Sequence, residues 1–337
     1  MNPIFIVGSE RSGTNLMRVI LNSHSNIVIP HPPHILKNFF RLKLLNNNLE
    51  VDNNFRDLIK DVVKAVELHP YPWGIKIDKE KIFNAVKERN LINIFFVIYE
   101  QYLESTNKKR WGCKSAFMIN YIAQVRYYYP QAKFIYMVRD GRDVAASAKK
   151  TIFNHYSVYY IAKLWKREQQ VGIYWLNRLS ESDMLLLRYE DLLDDPEGFI
   201  ESICLFLNEP YEENMLDFFE TNEAKKGSSI SAAWKNTAEP ILKNNYGKFK
   251  VELRKDEIEL FEAIAVQELN HFHYELTNPA SGTIFNRNIK FKIKYLFEEI
   301  FLMLKIQIKY FLSDKNNFLR YKKFWFLQFI KLKEIIK

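Results

Sequence analysis

Residues 4–18 read IFIVGSERSGTNLMR: an apolar run, a turn of small residues, then the start of an amphipathic helix. A strand that enters a helix through such a loop makes an anion site. The loop amides and the first helical turn lack intrahelical partners and carry partial positive charge. Gly8 and Gly13 allow a tight turn and close approach of the backbone to a ligand. Arg11 adds a planar, permanently charged fork suited to phosphate or sulfate. Ser12, Thr14 and Asn15 add neutral donors.

The spacing from Gly8 to Gly13 matches the G-x-x-x-x-G part of an NTPase P-loop, but Thr14 stands where the P-loop Lys belongs. An anion other than the triphosphate of ATP or GTP is therefore expected. A second segment, FIYMVRDGRDVAASAKK at 134–150, repeats the strand-to-helix pattern. Its continuous apolar run reads as a buried parallel strand. Arg139 ends that strand, and Ser147 lies eight residues on, about two turns into the next helix. Both can converge on one phosphate at the C-terminal edge of a sheet, where ligands of open α/β folds collect.

Together the two segments resemble the sulfotransferase family that uses 3′-phosphoadenosine 5′-phosphosulfate (PAPS), and are similar in motif style to its tyrosylprotein- and glycan-type members. The resemblance implies that Arg11, Ser12, Gly13, Thr14 and Asn15 hold the 5′-phosphosulfate, and Arg139 and Ser147 the 3′-phosphate. RSGTN departs from the commoner R/K-S-G-T-T at Asn15, which still donates. Further likeness covers most of residues 1–276. LLLRYEDLLDDPEGFI at 185–200 is similar to the family's Y-E-D segment and puts Tyr189 near the adenine. KKGSSISAAWKN at 225–236 is similar to its basic glycine loop, with Lys225, Lys226 and Gly227 closing over the 3′-phosphate.

Sulfuryl transfer needs an in-line hydroxyl attack and stabilisation of the departing phosphate oxygen. Arg11 suits the second task. Lys114, ending WGCK, resembles the family Lys that protonates or stabilises the leaving oxygen. For the general base, relatives that sulfate tyrosine or glycans carry Glu in the segment after the first helix. Here that segment reads IVIPHPPHIL, and Pro32 stands at the Glu position. His31 and His34 flank it, and an imidazole has a suitable ordinary pKa. His34 is the first candidate base and His31 the second. The small-molecule sulfotransferases place a catalytic His just after their Lys; that position is Ala116. No C-x-x-C or H-E-x-x-H pattern is present, so a metal-free reaction is expected.

The expected architecture is α/β: a P-loop-like parallel sheet flanked by helices, with a helical insertion and a helical C-terminal extension. Strands are expected at 3–8, 111–115, 134–139 and 184–189, and helices at 14–22, 118–128, 142–150, 155–178, 197–207 and 256–269. Residues 40–110 interrupt the alternation and read as a helical cap near the acceptor, with helices through Phe55–Val66, 80–87 and 91–104. By the resemblance, residues 1–282 are expected to form the sulfotransferase domain. After a hinge, NPASGT at 278–283, residues 283–337 form a basic aromatic extension of two helices, about 289–312 and 317–336.

The 337-residue chain carries a net charge of +9. Residues 283–337 hold 13 Lys and Arg against 4 Asp and Glu; the rest carries 36 of each. The body therefore lacks the basic stripe of a nucleic-acid binder. The extension suits either an anionic lipid surface or packing on the body or a second subunit. Two cysteines, Cys113 and Cys204, make no disulfide framework. With a first strand at the N-terminus, this predicts a cytoplasmic enzyme, attached peripherally to the inner face of a membrane if the tail binds lipid. The acceptor is expected to be a hydroxyl on a carbohydrate, glycolipid or other membrane-presented molecule. Two other readings remain: a P-loop kinase or NTPase, and a non-catalytic membrane-associated scaffold.

Overall fold

The computed structural model describes residues 2–40, 42, 48–152, 155–230, 232–277, 289–313 and 317–336. Among them, strands β1 (Ile4–Gly8), β2 (Ile27–Val28), β3 (Arg110–Lys114), β4 (Lys133–Val138) and β5 (Met184–Arg188) form one sheet in the order β2-β3-β1-β4-β5. Every pairing is parallel, with Ile4 opposite Gly112 on one side and Lys133 on the other. Period-two alternation sorts β1 between two cores. Phe5 and Val7 face one, and Ile4 and Ile6 the other. All five β1 residues are buried, which is why the strand reads as an unbroken apolar run.

Helix α1 (Thr14–Ser23) follows β1 and packs its Met17, Ile20 and Leu21 into the Ile4/Ile6 core. The short α2 (Ile35–Phe39) then leads to the insertion helices α3 (Asp52–Glu67), α4 (Lys79–Ala85) and α5 (Leu91–Glu104). The α3 spacing holds: Phe55, Leu58, Ile59, Val62, Val63 and Val66 are all buried. Asp78 and Asn90 cap α4 and α5 by accepting from the amides of Lys81 (3.0 Å) and Asn93 (2.9 Å). These helices supply one face of the core, and the segment between α3 and α4 sets His69, Tyr71 and Trp73 against His31. Phe95 and Tyr99 of α5 pack on Trp111 of β3 at 6.2 and 5.2 Å between ring centroids.

A 3₁₀ turn (Ala116–Tyr121) precedes α6 (Ile122–Tyr128), dividing the single helix expected at 118–128. Beyond β4 come α7 (Gly141–Ala148) and α8 (Val158–Leu176). After β5 the chain forms α9 (Tyr189–Asp194), α10 (Pro196–Leu207), α11 (Asn222–Ile230), α12 (Phe249–Glu252) and α13 (Lys255–His271). Helix α11 corrects the expected basic glycine loop. Glu223 in its first turn pairs with buried Arg18 at 2.6 Å, and the Thr221 hydroxyl accepts from the Ala224 amide at 3.2 Å. Those two anchors and the good helix formers of EAKK make a helix where the lone Gly227 suggested a loop.

The extension forms α14 (Ile289–Ser313) and α15 (Asn317–Ile336). The expected hinge lies outside the described residues up to Thr277 and from Ile289. Helix α14 lies on α8, with Tyr295 stacked on Tyr159 at 5.0 Å. Its Glu299 carboxylate accepts from the amides of Tyr156 (3.0 Å) and Ser157 (2.7 Å). That tertiary cap explains why α8 starts at Val158 and not at 155. Helix α15 crosses α3. Of the described residues, no helix is long and apolar enough to cross a membrane.

Candidate active site

The sheet order changes direction at β1: the chain goes to β2 and β3 on one side, then crosses to β4 on the other. A crevice opens at the C-terminal edge of such a switch point. Two glycines shape it. Gly8 has φ 141°, and a Cβ there would lie 2.2 Å from the Met137 carbonyl oxygen. Gly13 has φ 83° as the N-cap of α1, and a Cβ there would lie 2.3 Å from the Tyr189 ring. Arg11 also takes a left-handed conformation, φ 71°, which a side chain tolerates only when its surroundings hold it. Helix α1 has no side-chain cap and no acidic residue in its first turn, so its positive end faces the crevice uncompensated.

The cavity measures about 160 Å³ and is lined by Arg11, Thr14, Asn15, Lys114, Arg139 and Tyr189, with His31 and His34 on the opposite wall. Arg11 Nε donates to Ser147 Oγ at 2.9 Å, and Arg139 Nη1 donates to the Arg11 carbonyl at 3.2 Å. The β1–α1 and β4–α7 segments are thus one connected unit. Arg139 lies over the Tyr189 ring at 4.6 Å and donates to the Asn245 carbonyl at 2.8 Å; the Tyr189 hydroxyl accepts from Asn245 Nδ2 at 2.7 Å. Asn15, which lines the cavity, accepts from Arg18 Nε through its Oδ1 at 3.0 Å.

Positive charge is concentrated here. Burial, and then the neighbouring Arg139, lower the Arg11 pKa. Burial, followed by Arg18, brings Lys114 down to about 8. Among the described residues, the buried Ser12 hydroxyl and Arg139 Nε have no hydrogen-bond partner. Buried polar atoms are nearly always satisfied, so these two orphaned donors suit an anion's acceptor oxygens, while the orphaned Glu10 Oε2 at the same crevice needs a donor. A nucleotide bearing a phosphosulfate fits that donor set.

On the opposite wall, His31 is enclosed by Tyr71 (4.9 Å, stacked), Trp234 (4.4 Å) and His69 (5.2 Å between centroids), and neither ring nitrogen has a partner. His34, at φ 58°, approaches Ser115 Oγ at 3.3 Å and sets its ring edge-on to Phe117. Burial lowers both histidine pKa values well below the usual 6.5. For His31 the next cause is Arg18, and for His34 it is Lys323. Both imidazoles are therefore neutral near pH 7, and the same burial makes each a weaker base than a free imidazole.

The sulfotransferase family profile matches residues 3–213. The chain belongs to that family. It is 25% identical over 264 residues to protein-tyrosine sulfotransferase 1 of Danio rerio, an alignment covering 75% of this chain and 68% of that protein. It is 25% identical over 239 residues to an uncharacterized protein of Aquifex aeolicus, covering 68% of this chain but only 28% of the Aquifex protein. In fold it is similar to the sulfotransferase domain from the Synechococcus PCC 7002 olefin synthase. The TM-score is 0.57 at 20% identity, over 82% of this chain and 96% of that domain.

The crevice of this family member brings together Arg11, Gly13, Thr14, Asn15, Lys114, Arg139, Tyr189, His31 and His34. Ser12 and Ser147 lie just behind its wall, Ser147 engaged by Arg11. Lys225, Lys226 and Gly227 do not line it. Lys225 is exposed and pairs with Glu220 at 2.7 Å, and Lys226 lies 5.2 Å from the Tyr71 ring centroid. Trp234, Asn236, Thr237 and Asn245 line the crevice instead. Only Trp234 and Asn236 fall within the segment quoted for the loop. Glu10, one of whose buried carboxyl oxygens lacks a partner, also lines it; its place inside SERSGTN was the available signal.

Two other neighbours left no readable signal. Glu168 of α8 lies behind Arg11, and burial raises its pKa to about 8. Lys323 of α15 is buried, donates to the Pro33 carbonyl at 3.0 Å, and has its pKa lowered by burial to about 7. Among the described residues, no group of three or more His, Cys, Asp and Glu could hold a metal ion.

Proposed function

We propose that this enzyme of the sulfotransferase family takes its sulfuryl group from PAPS and transfers it to a hydroxyl acceptor. The observation that carries the reading is the convergence of Arg11, Arg139, Lys114 and the uncapped start of α1 on one crevice. The donor supplies the sulfuryl group and departs as adenosine 3′,5′-bisphosphate. Residues 11–15 hold the 5′ end, Arg139 with Ser147 holds the 3′-phosphate, and Tyr189 takes the adenine side. Arg11 and Lys114 stabilise the charge that collects on the leaving oxygen, and no metal is required for that task. His34, neutral and hydrogen-bonded beside Lys114, takes the proton from the acceptor hydroxyl, with His31 as the second candidate. Lys225, Lys226 and Gly227 reach the 3′-phosphate only if α11 moves.

The acceptor is a hydroxyl on a carbohydrate, a glycolipid or another membrane-presented molecule. The catalytic unit is residues 1–282, with 283–337 as a peripheral extension on a cytoplasmic membrane face. The free, buried Cys113 and Cys204 support a reducing compartment. The deciding experiment compares ligand-induced thermal stabilisation. Adenosine 3′,5′-bisphosphate should raise the melting temperature without added metal, in the manner of any ligand that binds only the folded state. Stabilisation by ADP or GDP with Mg²⁺ and not by the bisphosphate would point to a P-loop kinase or NTPase. Binding without transfer to any screened acceptor would favour the scaffold.

A further inference from the structure

Helices of globular proteins turn their apolar stripe to the core and their charged stripe to water. In α14 a second apolar stripe faces water beside the charged residues. Phe297, Phe301, Leu304, Ile308 and Phe311 recur at spacings of three and four and so share one face, and they are 68, 66, 53, 60 and 63% exposed. The inward face carries Tyr295, Glu299, Ile306 and Tyr310. That orientation is fixed by polar contacts: the Glu299 carboxylate is spent on the amides of Tyr156 and Ser157 and on His155 Nδ1 at 2.9 Å. Rolling the helix to bury its phenylalanines would strand a carboxylate and two amides.

Helix α15 repeats the pattern. Phe318, Trp325, Phe329 and Leu332 share an outward face and are 74, 66, 54 and 55% exposed, while Ile330 and Lys323 point inward. Lys323 is the polar anchor here, donating to the Pro33 carbonyl. The rings of Phe311 and Tyr321 meet at 6.2 Å where the two helices approach. Exposed apolar surface on this scale marks an interaction site.

We propose that the outward faces of α14 and α15 dock on an anionic lipid surface, lying in its interface without crossing it. Charge selects this occupant. Exposed Lys290, Lys292, Lys294 and Lys305 accompany the α14 stripe, and Lys322, Lys331 and Lys333 the α15 stripe. Both acidic residues of α14, Glu298 and Glu299, are half-buried. A second copy on the same faces would set these lysines against their own images, since a two-fold interface pairs each patch with itself. Aromatics flanked by lysines on a helix too polar to span match the interfacial mode of binding. The proposal deepens the membrane-presented acceptor suggested above. Helix α15 touches lipid on one side and, through Lys323, the His31–His34 loop on the other, so docking would set the acceptor wall of the crevice toward the bilayer.

The test is co-sedimentation of the full chain with vesicles of phosphatidylcholine alone or mixed with phosphatidylserine, at low and high salt. Adenosine 3′,5′-bisphosphate binding is followed in parallel. The wild type should bind only the phosphatidylserine vesicles and release at high salt. Phe301→Asp with Trp325→Asp should weaken binding by at least about 10-fold, since each aromatic loses a burial worth that factor or more. Lys331→Glu with Lys333→Glu should weaken it without touching an apolar residue. Both variants should keep the wild-type melting temperature and bisphosphate affinity, so vesicle binding and the donor reading fail or stand separately. Absence of vesicle binding by a protein that binds the bisphosphate, or equal binding by all variants, would overturn the proposal. So would a lipid-free dimer that the aromatic variant dissociates.

Discussion

The two walls of the crevice are built differently. The donor wall is local: Arg11 to Asn15 sit in one turn between β1 and α1, and Arg139 and Ser147 come from the next strand–helix unit. Its shape is set by backbone, with Gly8 against Met137 and Gly13 against Tyr189. The acceptor wall is a collection. His31 is held by Tyr71, His69 and Trp234, with its carbonyl accepting from Trp73 Nε1 at 2.8 Å; the loop beyond is held by Lys323, 290 residues away from Pro33. A local wall preserves one ligand chemistry from a short motif. A collected wall can change its substrate by changing distant segments, each of which carries little information alone.

The sharpest way to break this contrast is Lys114, which stands between the walls. Lys114→Ala should lower kcat by about 10³-fold, the scale of losing one charge-stabilising donor. In the wild type the rate should fall as pH rises through about 8, where Lys114 loses its proton. An alkaline limb that persists unchanged in Lys114→Arg would assign the titration elsewhere. His34→Ala tests the acceptor wall: kcat should drop about 10²-fold with bisphosphate binding unchanged. His31→Ala should matter less. Near-normal rates in both variants would move the base to Glu10 or Glu168.

Arg139→Ala tests the donor wall. It should weaken adenosine 3′,5′-bisphosphate by roughly 10-fold or more, as for a charge-assisted hydrogen bond, and adenosine 5′-phosphate much less. Equal losses, read by calorimetry, would remove the 3′-phosphate role. The smallest effect concerns Lys323. Its folded-state pKa near 7 lies below the ordinary 10.5, so between those values the unfolded chain binds more protons. Stability should therefore rise with pH from about 7 toward 10, and Lys323→Met should flatten that rise in urea denaturation. Identical pH profiles would mean that the lysine is solvated and does not hold the Pro33 loop.

What was legible in the chain was what depends on neighbours in sequence. The β1 run, the loop to α1, the β4–α7 unit and the α3 periodicity each follow from spacing and side-chain chemistry within a few residues. So does family membership, because the loop motifs carry it. The two-residue β2 was too short to leave a pattern; it exists because β3 offers partners at Arg110 and Trp111. The Lys225–Gly227 segment reads as a loop by composition and folds as a helix because Glu223 meets buried Arg18, 205 residues away. Within the insertion, α5 packs on Trp111 of β3 while His69, Tyr71 and Trp73 reach His31, a division that the helical spacing alone did not show. The amphipathic tail helices were visible in the sequence, but which face meets water was not. Periodicity gives a stripe and no direction; Glu299 on the Tyr156 and Ser157 amides ahead of α8 and Lys323 on Pro33 turn the phenylalanines outward. The sequence by itself determined the β1–α1 and β4–α7 segments and the family, and tertiary structure decided the His31–His34 wall and the surface that surrounds it, because those depend on contacts between residues that the chain keeps far apart.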